Sequence, residues 1–123
     1  SLNARYKNKI IVPINEKYFD LIVEGMEKAV TSGTATIAQL PEIRVAAKTG
    51  TAQDPPRKSH SVFIAFGPVE NPKIAIAVLV ENAGWGASYG GPIASLMMEK
   101  YLTDTIKRTD LENRMKAADF LIK

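Results

Sequence analysis

The 123-residue chain contains no cysteine and a single histidine, so it lacks the residues from which disulfide bridges, thiolate nucleophiles and zinc clusters are built. Long hydrophobic runs are also missing. The longest wholly apolar run, Ile74–Val80, is far below the roughly 18 residues that a membrane-spanning helix requires. Any chemistry must therefore use hydroxyl, amine, carboxylate or backbone groups.

The chain has only a small excess of one sign of charge. The net charge is +3, and the excess of basic residues lies near the two ends. Because no RNA-binding or helix-turn-helix signature accompanies it, we predict no nucleic-acid partner. Hydrophobic residues make up 46% and charged residues 24%, as in an ordinary globular domain, and the length suits one compact core.

The first helix is predicted over residues 16–32. Asn15 is a suitable N-cap, and Gly33 is predicted to be the left-handed residue that ends the helix. Its apolar positions recur at spacings of three and four and comprise Phe19, Ile22, Val23, Met26 and Val30.

Three strands are predicted after this helix, over residues 43–51, 60–67 and 73–82. Residues 68–72 read as a hairpin connection, and the proline-containing loop 53–59 should be solvated. The last two strands are continuous apolar runs, which predict a sheet lying between helical layers.

Two further helices follow a glycine-rich loop, the first from about Pro92 to Ile106. Thr109 and Glu112 are spaced as a capping box for a final helix over 109–123, which we expect to dock on the same domain.

Residues 1–14 form a lead-in segment before the first helix. Three strands make a small sheet for this much apolar surface, so we expect the chain to be part of a longer protein.

The stretch Lys48-Thr49-Gly50-Thr51 has residue types that suit a reaction site. On an edge strand, Lys48 and Gly50 point to one side and the two threonines to the other. Gly50 lets a bound peptide pair with the backbone by strand addition, and the Thr51 N–H can stabilise an oxyanion. A Walker A phosphate-binding loop is excluded because no glycine stands immediately before Lys48.

Other candidate side chains are weaker. His60 has no obvious carboxylate partner in the sequence and begins an apolar strand, so we predict a structural role for it. Trp85 and Tyr89 either form the rim of a site or cover the end of the sheet. The sequence leaves those two interpretations open.

The Lys-Thr-Gly motif and its surroundings resemble the transpeptidase domain of class B penicillin-binding proteins, with similar residues from about Pro13 to Leu102. The similar segments are residues 25–30, 33–35, 45–53 and 61–68. Residues 77–84 and the helix after them resemble the elongation-specific branch, penicillin-binding protein 2. The resemblance implies an α+β fold with five antiparallel strands between helical layers, of which this C-terminal part would hold the last three strands.

The resemblance also implies an activity. In such enzymes a serine attacks the terminal D-Ala-D-Ala bond of a peptidoglycan stem peptide, and β-lactams mimic that donor. The resemblance implies that Lys48, Thr49 and Thr51 bind the carboxylate of the donor peptide and that Gly50 lets this peptide dock alongside the strand. The Thr51 N–H would donate a hydrogen bond to the oxyanion formed during the reaction. No metal or cofactor is implied. No serine is followed three residues later by lysine, so the nucleophile is absent and this segment alone should be inactive.

The implied partners are stem peptides, β-lactam antibiotics, the rest of the transpeptidase domain and a membrane glycan polymerase. The implied location is the periplasmic face of the inner membrane, with the membrane anchor outside this otherwise soluble segment. An open strand edge also predicts self-association. The alternative hypothesis is a self-sufficient, non-enzymatic module that captures peptides on its exposed strand.

Overall fold

The computed structural model describes residue 4 and residues 7–119. Within that part of the chain, three helices and one three-stranded sheet make up an α+β fold. The elements are α1 (Glu16–Thr31), β1 (Ala46–Ala52), β2 (His60–Gly67), β3 (Ile74–Val80), α2 (Gly90–Thr103) and α3 (Thr109–Lys116), with a 3₁₀ helix at Thr36–Ala38. None of the described helices is both long and apolar enough to cross a bilayer.

The sheet is antiparallel and has β2 at its centre, in the order β1-β2-β3. Its register places Thr49 opposite Phe63, and Phe63 opposite Val78. The bounds predicted for β2 are confirmed. β1 begins three residues later than predicted, and β3 is shorter than predicted at both ends. The residues that the prediction added at these ends do not pair with β2.

The core lies between the sheet and α2. α2 packs on β2 and β3, while α1 packs along β1. Phe63 and Met98 are its largest fully buried apolar side chains. Around them pack Val30, Leu40, Val45, Ala47, Ala65 and Ala94. This packing fixes the first half of β1 in the interior.

The opposite face of the sheet is open in the described residues. Ile64 is 44% exposed and Leu79 is 59% exposed. α1 borders this face at Met26, which lines a shallow cleft with Phe66 and Ala75. The helical cover that the apolar strands predict is therefore more extensive on the face where α2 packs on β2 and β3, whereas α1 packs along β1 and only borders the other face.

The N-terminal end of α1 matches its prediction and the C-terminal end does not. Asn15 is the N-cap, and its side-chain oxygen accepts a hydrogen bond from the Lys17 N–H at 3.1 Å. Gly33 was predicted to be left-handed, which is wrong because its φ is not positive. Glycine suits this position for another reason: a Cβ there would lie 2.8 Å from the Ala29 Cα.

The apolar stripe of α1 is mostly exposed. Phe19 is 47% and Ile22 63% exposed, whereas Val30 at the other end of the helix is 3% exposed. The helical spacing correctly predicts the helix. Burial of the stripe, however, depends on neighbours, which are in place only near the end of α1 that packs beside β1.

The predicted capping box of the last helix is wrong. Thr109 is the first helical residue, and Arg108 occupies the N-cap position without a side-chain capping bond. The helix ends at Lys116, and residues 120–123 of the predicted span lie outside the described residues. In the described residues α3 contacts α2, and docking of the whole predicted helix on the same domain stays a prediction.

A partly buried ion pair anchors the segment between α2 and α3. Glu99 is 4% exposed, and its Oε2 accepts a hydrogen bond from Arg108 Nε at 2.9 Å. The same guanidinium donates to the Ile37 carbonyl at 3.0 Å and to Ser95 Oγ at 2.8 Å. One arginine thus joins α2, the 3₁₀ helix and the approach to α3.

Candidate functional site

The strand that carries Lys48-Thr49-Gly50-Thr51 lies at an edge of the sheet, as predicted. β1 pairs with β2 on one side and with no strand of residues 7–119 on the other. Ala46 and Ala47 are fully buried, while Thr51 and Ala52 are exposed. Backbone groups along the open edge can therefore pair with an extended peptide.

Lys48 presents a positive charge beside this edge. Its Nζ donates a hydrogen bond to the Thr49 carbonyl at 2.6 Å. In the part of the chain that the structure describes, the ion pairs do not include Lys48. Its ammonium is thus available to an anionic group of a ligand.

Thr49 and Thr51 lie on the face of the sheet that carries Phe63, as the predicted alternation requires. Thr49 Oγ1 is 2.9 Å from Thr34 Oγ1, in the segment after α1. Thr51 Oγ1 accepts a hydrogen bond from the Gly86 N–H at 3.2 Å. Both hydroxyls are therefore held by neighbouring segments before any ligand binds.

The glycine-rich loop sits directly on the backbone of β1. A Cβ at Gly86 would lie 2.2 Å from the Gly50 carbonyl oxygen and 2.9 Å from the Gly50 nitrogen. No side chain fits at that distance, so Gly86 allows the loop to reach the strand. The sequence indicated a flexible loop here but not this contact.

The two predicted rim residues have different surroundings. Trp85, next to Gly86, is 76% exposed. Tyr89 is half-buried at the N-cap of α2 and lines a cleft of about 570 Å³ against Arg114 and Ala118. Of the two, Trp85 is the one that adjoins the contact with β1.

His60 has the carboxylate neighbour that the sequence did not reveal. Its Nε2 lies 3.7 Å from Asp54 Oδ2, and its Nδ1 accepts a hydrogen bond from the Asn82 N–H at 3.0 Å. In the neutral ring the proton is then on Nε2, facing Asp54. Both nitrogens face groups of the protein, which supports the structural role predicted for this histidine.

The loop after β1 is held by an ion pair of its own. Arg57 Nε donates to Asp54 Oδ2 at 2.8 Å. The hydrogen bond from Arg57, with the charges of Arg57 and His60, holds the pKa of Asp54 below its usual range. The proline-containing loop is solvent-facing, as predicted, yet its first turn is tied to β2.

Ser61 is a residue of this region that sequence reasoning missed. It is fully buried, and its hydroxyl bonds to both Gly86 and Gly90. The sequence offers one weak signal, a polar residue near the start of an otherwise apolar run. Its partners lie 25 and 29 residues further along the chain, which no local pattern could indicate.

A family model described as the penicillin binding protein transpeptidase domain matches residues 4–101. The chain belongs to this family. A curated relative, the peptidoglycan D,D-transpeptidase MrdA of Haemophilus influenzae, is 34% identical over 82 residues, covering 67% of this chain and 12% of that protein.

Solved structures show the same similarity. Pseudomonas aeruginosa PBP2 in complex with WCK 5153 has a TM-score of 0.67 at 29% identity, over 90% of this chain and 24% of that one. Penicillin-binding protein A from M. tuberculosis, as an imipenem acyl-enzyme complex, has a TM-score of 0.56 at 36% identity, over 72% and 19%. The resemblance to the penicillin-binding protein 2 branch is confirmed.

The chain spans less than a quarter of the length of each of these relatives. The family and the α+β transpeptidase fold are therefore established for this segment. The roles of Lys48, Thr49, Gly50 and Thr51 stay predictions, as does the rim role of Trp85 and Tyr89.

Proposed function

We propose that this chain supplies the substrate-binding edge strand of a peptidoglycan D,D-transpeptidase that forms a serine acyl-enzyme and is acylated by β-lactams. The observation that carries the proposal is the Lys48 ammonium, free of ion pairs in the described residues, beside an open strand edge. Membership in the transpeptidase family indicates which ligand this lysine and strand edge would bind.

Each residue of the motif has a specific proposed role. The Lys48 ammonium, with the hydroxyls of Thr49 and Thr51, binds the terminal carboxylate of the donor stem peptide or the carboxylate of a β-lactam. Gly50 lets the donor run alongside the strand. The backbone N–H of Thr51 donates to the oxygen that becomes negative when the nucleophile adds to the carbonyl.

The nucleophile is proposed to come from another part of a longer protein. None of the serines of this chain is followed three residues later by a lysine that could activate it. The serine hydroxyl gives up its proton and attacks the carbonyl carbon of the D-Ala-D-Ala bond, and D-alanine leaves with a proton on its amine, so that the serine is acylated. The amine of a second stem peptide then attacks the ester, forms the new amide bond and releases the serine hydroxyl. The 123-residue segment alone is then inactive.

The proposed setting follows from the same function. Stem peptides are the substrates, and the remaining transpeptidase domain and a membrane glycan polymerase are the protein partners. We place the enzyme at the periplasmic face of the inner membrane, held by an anchor outside this chain. The apolar face with Ile64 and Leu79 and the open edge of β1 also support self-association of the isolated segment.

Labelling with a fluorescent penicillin tests the proposed function. The longer protein, its nucleophile serine→Ala variant and the 123-residue chain are each incubated with the reagent, and covalent adducts are read by intact mass. We expect one adduct on the longer protein and none on the other two. A folded longer protein that takes no label would contradict the proposal.

Two lysine variants of the longer protein connect the labelling to this strand. Lys48→Ala should slow labelling, whereas Lys58→Ala, which removes an exposed lysine from the loop after β1, should not. Equal labelling rates in the two variants would show that Lys48 does not contribute to the binding site.

The rival interpretation, a peptide-binding module without enzymatic activity, treats the Lys-Thr-Gly motif as a coincidence. Membership in the transpeptidase family argues against that coincidence. An unlabelled longer protein that still bound extended peptides at β1 would favour the rival.

A further inference from the structure

Ser61 joins the glycine-rich loop to the sheet through one buried hydroxyl. Its Oγ donates to the Gly86 carbonyl at 3.0 Å and accepts from the Gly90 N–H at 3.0 Å. These partners are the two ends of the five-residue segment 86–90, so a single side chain fixes both ends. Ser61 has no exposed surface, and its hydroxyl both donates and accepts a hydrogen bond within the fold.

Thr51 completes the attachment from the neighbouring strand. Ser61 stands directly opposite Thr51 in the register of β1 and β2. The Gly86 N–H donates to Thr51 Oγ1 at 3.2 Å, while the Gly86 carbonyl accepts from Ser61. Hydroxyls from two paired residues thus bond to the two polar groups of Gly86, whose carbonyl also accepts from the Gly91 N–H at 3.2 Å.

The close packing leaves the loop little room for another position. A Cβ at Gly86 would lie 2.2 Å from the Gly50 oxygen, and a Cβ at Gly90 would lie 3.1 Å from Ser61 Oγ. Trp85 directly precedes this fixed segment and has 76% of its surface exposed. The backbone of Trp85 lies between two attachments, the Gly84 N–H to the Ser59 carbonyl at 2.8 Å and the contacts of Gly86, so the hold on Gly86 fixes one of its two sides.

We propose that Ser61 is a positioning residue for the acyl-transfer site, acting through the segment 86–90 to hold Trp85 as a wall beside Gly50 and Thr51. The proposal rests on the function proposed above. Ser61 touches no reacting atom. Its hydroxyl sets the position of the loop, and the loop shapes the space in which the donor or a β-lactam binds.

Hydrogen exchange on the longer protein tests the attachment. Ser61→Ala removes both hydrogen bonds, and Ser88→Ala removes an exposed hydroxyl from the same loop as a matched control. We expect amides in residues 84–91 to exchange about tenfold faster in Ser61→Ala, as loss of ordinary hydrogen bonds implies, with β2 amides after Phe63 unchanged. Unchanged exchange in residues 84–91, or an equal rise in both variants, would overturn the proposal.

Penicillin acylation kinetics separate a positioning role from a merely structural one. In Ser61→Ala we expect the dissociation constant of the non-covalent complex to rise about tenfold, with the acylation rate constant within about threefold and the final labelled fraction unchanged. A structural role would lower the labelled fraction and leave both constants as in the parent protein, and that result contradicts the proposal. Ser88→Ala should match the parent in all three quantities.

A second variant covers the case in which Ser61→Ala does not fold. If Ser61→Ala fails to fold, Ser61→Cys keeps a side chain of similar shape with weaker hydrogen bonds and must show the same changes in exchange and affinity. Failure of the two proposals is also distinguishable. An unlabelled parent protein rejects the transpeptidase function, whereas a labelled parent with unchanged constants in Ser61→Ala rejects the role of Ser61 alone.

Discussion

The two halves of β1 differ sharply although they belong to one seven-residue strand. Ala46 and Ala47 have no exposed surface and lie in the interior, whereas Thr51 and Ala52 are exposed at the other end. The first half has apolar neighbours. The second half has polar ones, the hydroxyl of Thr34 and the N–H of Gly86.

This contrast shows how an open strand can keep a defined position. All seven residues of β1 are paired in register with β2, so the buried half and the open half move together. Burial of small side chains fixes the first half, and the ladder carries that position to Lys48 and Thr51. Changes in the first half should act on folding, and changes in the second half on binding and acyl transfer.

The largest expected effect is on the buried half. Ala47→Asp places a carboxylate in the core without a partner, which should cost about 3–5 kcal/mol of the free energy of unfolding. Ala52→Asp, at the exposed end of the same strand, should cost less than about 1 kcal/mol. Urea denaturation of the longer protein measures both. Similar losses of the free energy of unfolding in the two variants would contradict the proposed difference between the two halves of β1.

Thr51 gives the largest effect on acyl transfer. Thr51→Pro removes the backbone N–H that is proposed to stabilise the oxyanion and should slow acylation by penicillin about 100- to 1,000-fold. Thr51→Val keeps the N–H and removes only the hydroxyl, so its loss should be several times smaller. Stopped-flow labelling compares the rates. A larger loss in the valine variant would show that the hydroxyl, not the N–H, matters most.

A smaller loss is expected when the charge at the edge is removed. Lys48→Ala should weaken penicillin binding about 10- to 100-fold, the range of a charge-assisted hydrogen bond, because the carboxylate loses its cationic partner. The melting temperature should not change, since Lys48 is exposed. A titration with penicillin measures the binding, and a thermal scan of the same sample measures the melting temperature. A large drop in melting temperature would show that Lys48 contributes to the stability of the fold instead.

The smallest effect concerns the loop after β1. The folded-state pKa of Asp54 is lowered, so its ionised form stabilises the fold above the unfolded pKa, and this contribution is lost as the pH falls through the folded pKa. Asp54→Asn should lower the melting temperature by about 1–2 °C near pH 6, because the pairing with Arg57 is lost.

The pH series supplies the check on Asp54. The difference between Asp54→Asn and the parent protein should begin to shrink as the pH falls to about 4, the unfolded pKa, and should disappear only below the lower folded pKa of Asp54. Asp20→Asn, which removes an exposed carboxylate of α1, is the control for the loss of one negative charge. A difference for Asp54→Asn that persisted in acid would have a cause other than the charge of Asp54.

Local patterns in the sequence predict much of the fold. β2 has its predicted bounds because a continuous apolar run ends at the turn that contains Pro68. α1 follows from the spacing of its apolar residues, and Asn15 caps it as expected. The Lys-Thr-Gly strand was recognisable because its motif and its neighbours resemble one family.

The error at Gly33 is local, because the glycine is required by the Ala29 backbone four residues earlier and not by a positive φ. Other features depend on distant parts of the chain. Arg108, at the N-cap position of α3, donates to the Ile37 carbonyl 71 residues away. Ser61 was missed for the same reason. Its partners are brought to it only when the glycine-rich loop folds back over β1.

The central claim is that the open half of β1 receives the acyl donor. The most direct measurement is residue-resolved amide exchange along β1 in the longer protein before and after acylation by penicillin. We predict a large slowing of exchange at Thr51 with no change at Ala47, which is already buried. Equal exchange at Thr51 in the free and acylated protein would contradict the claim.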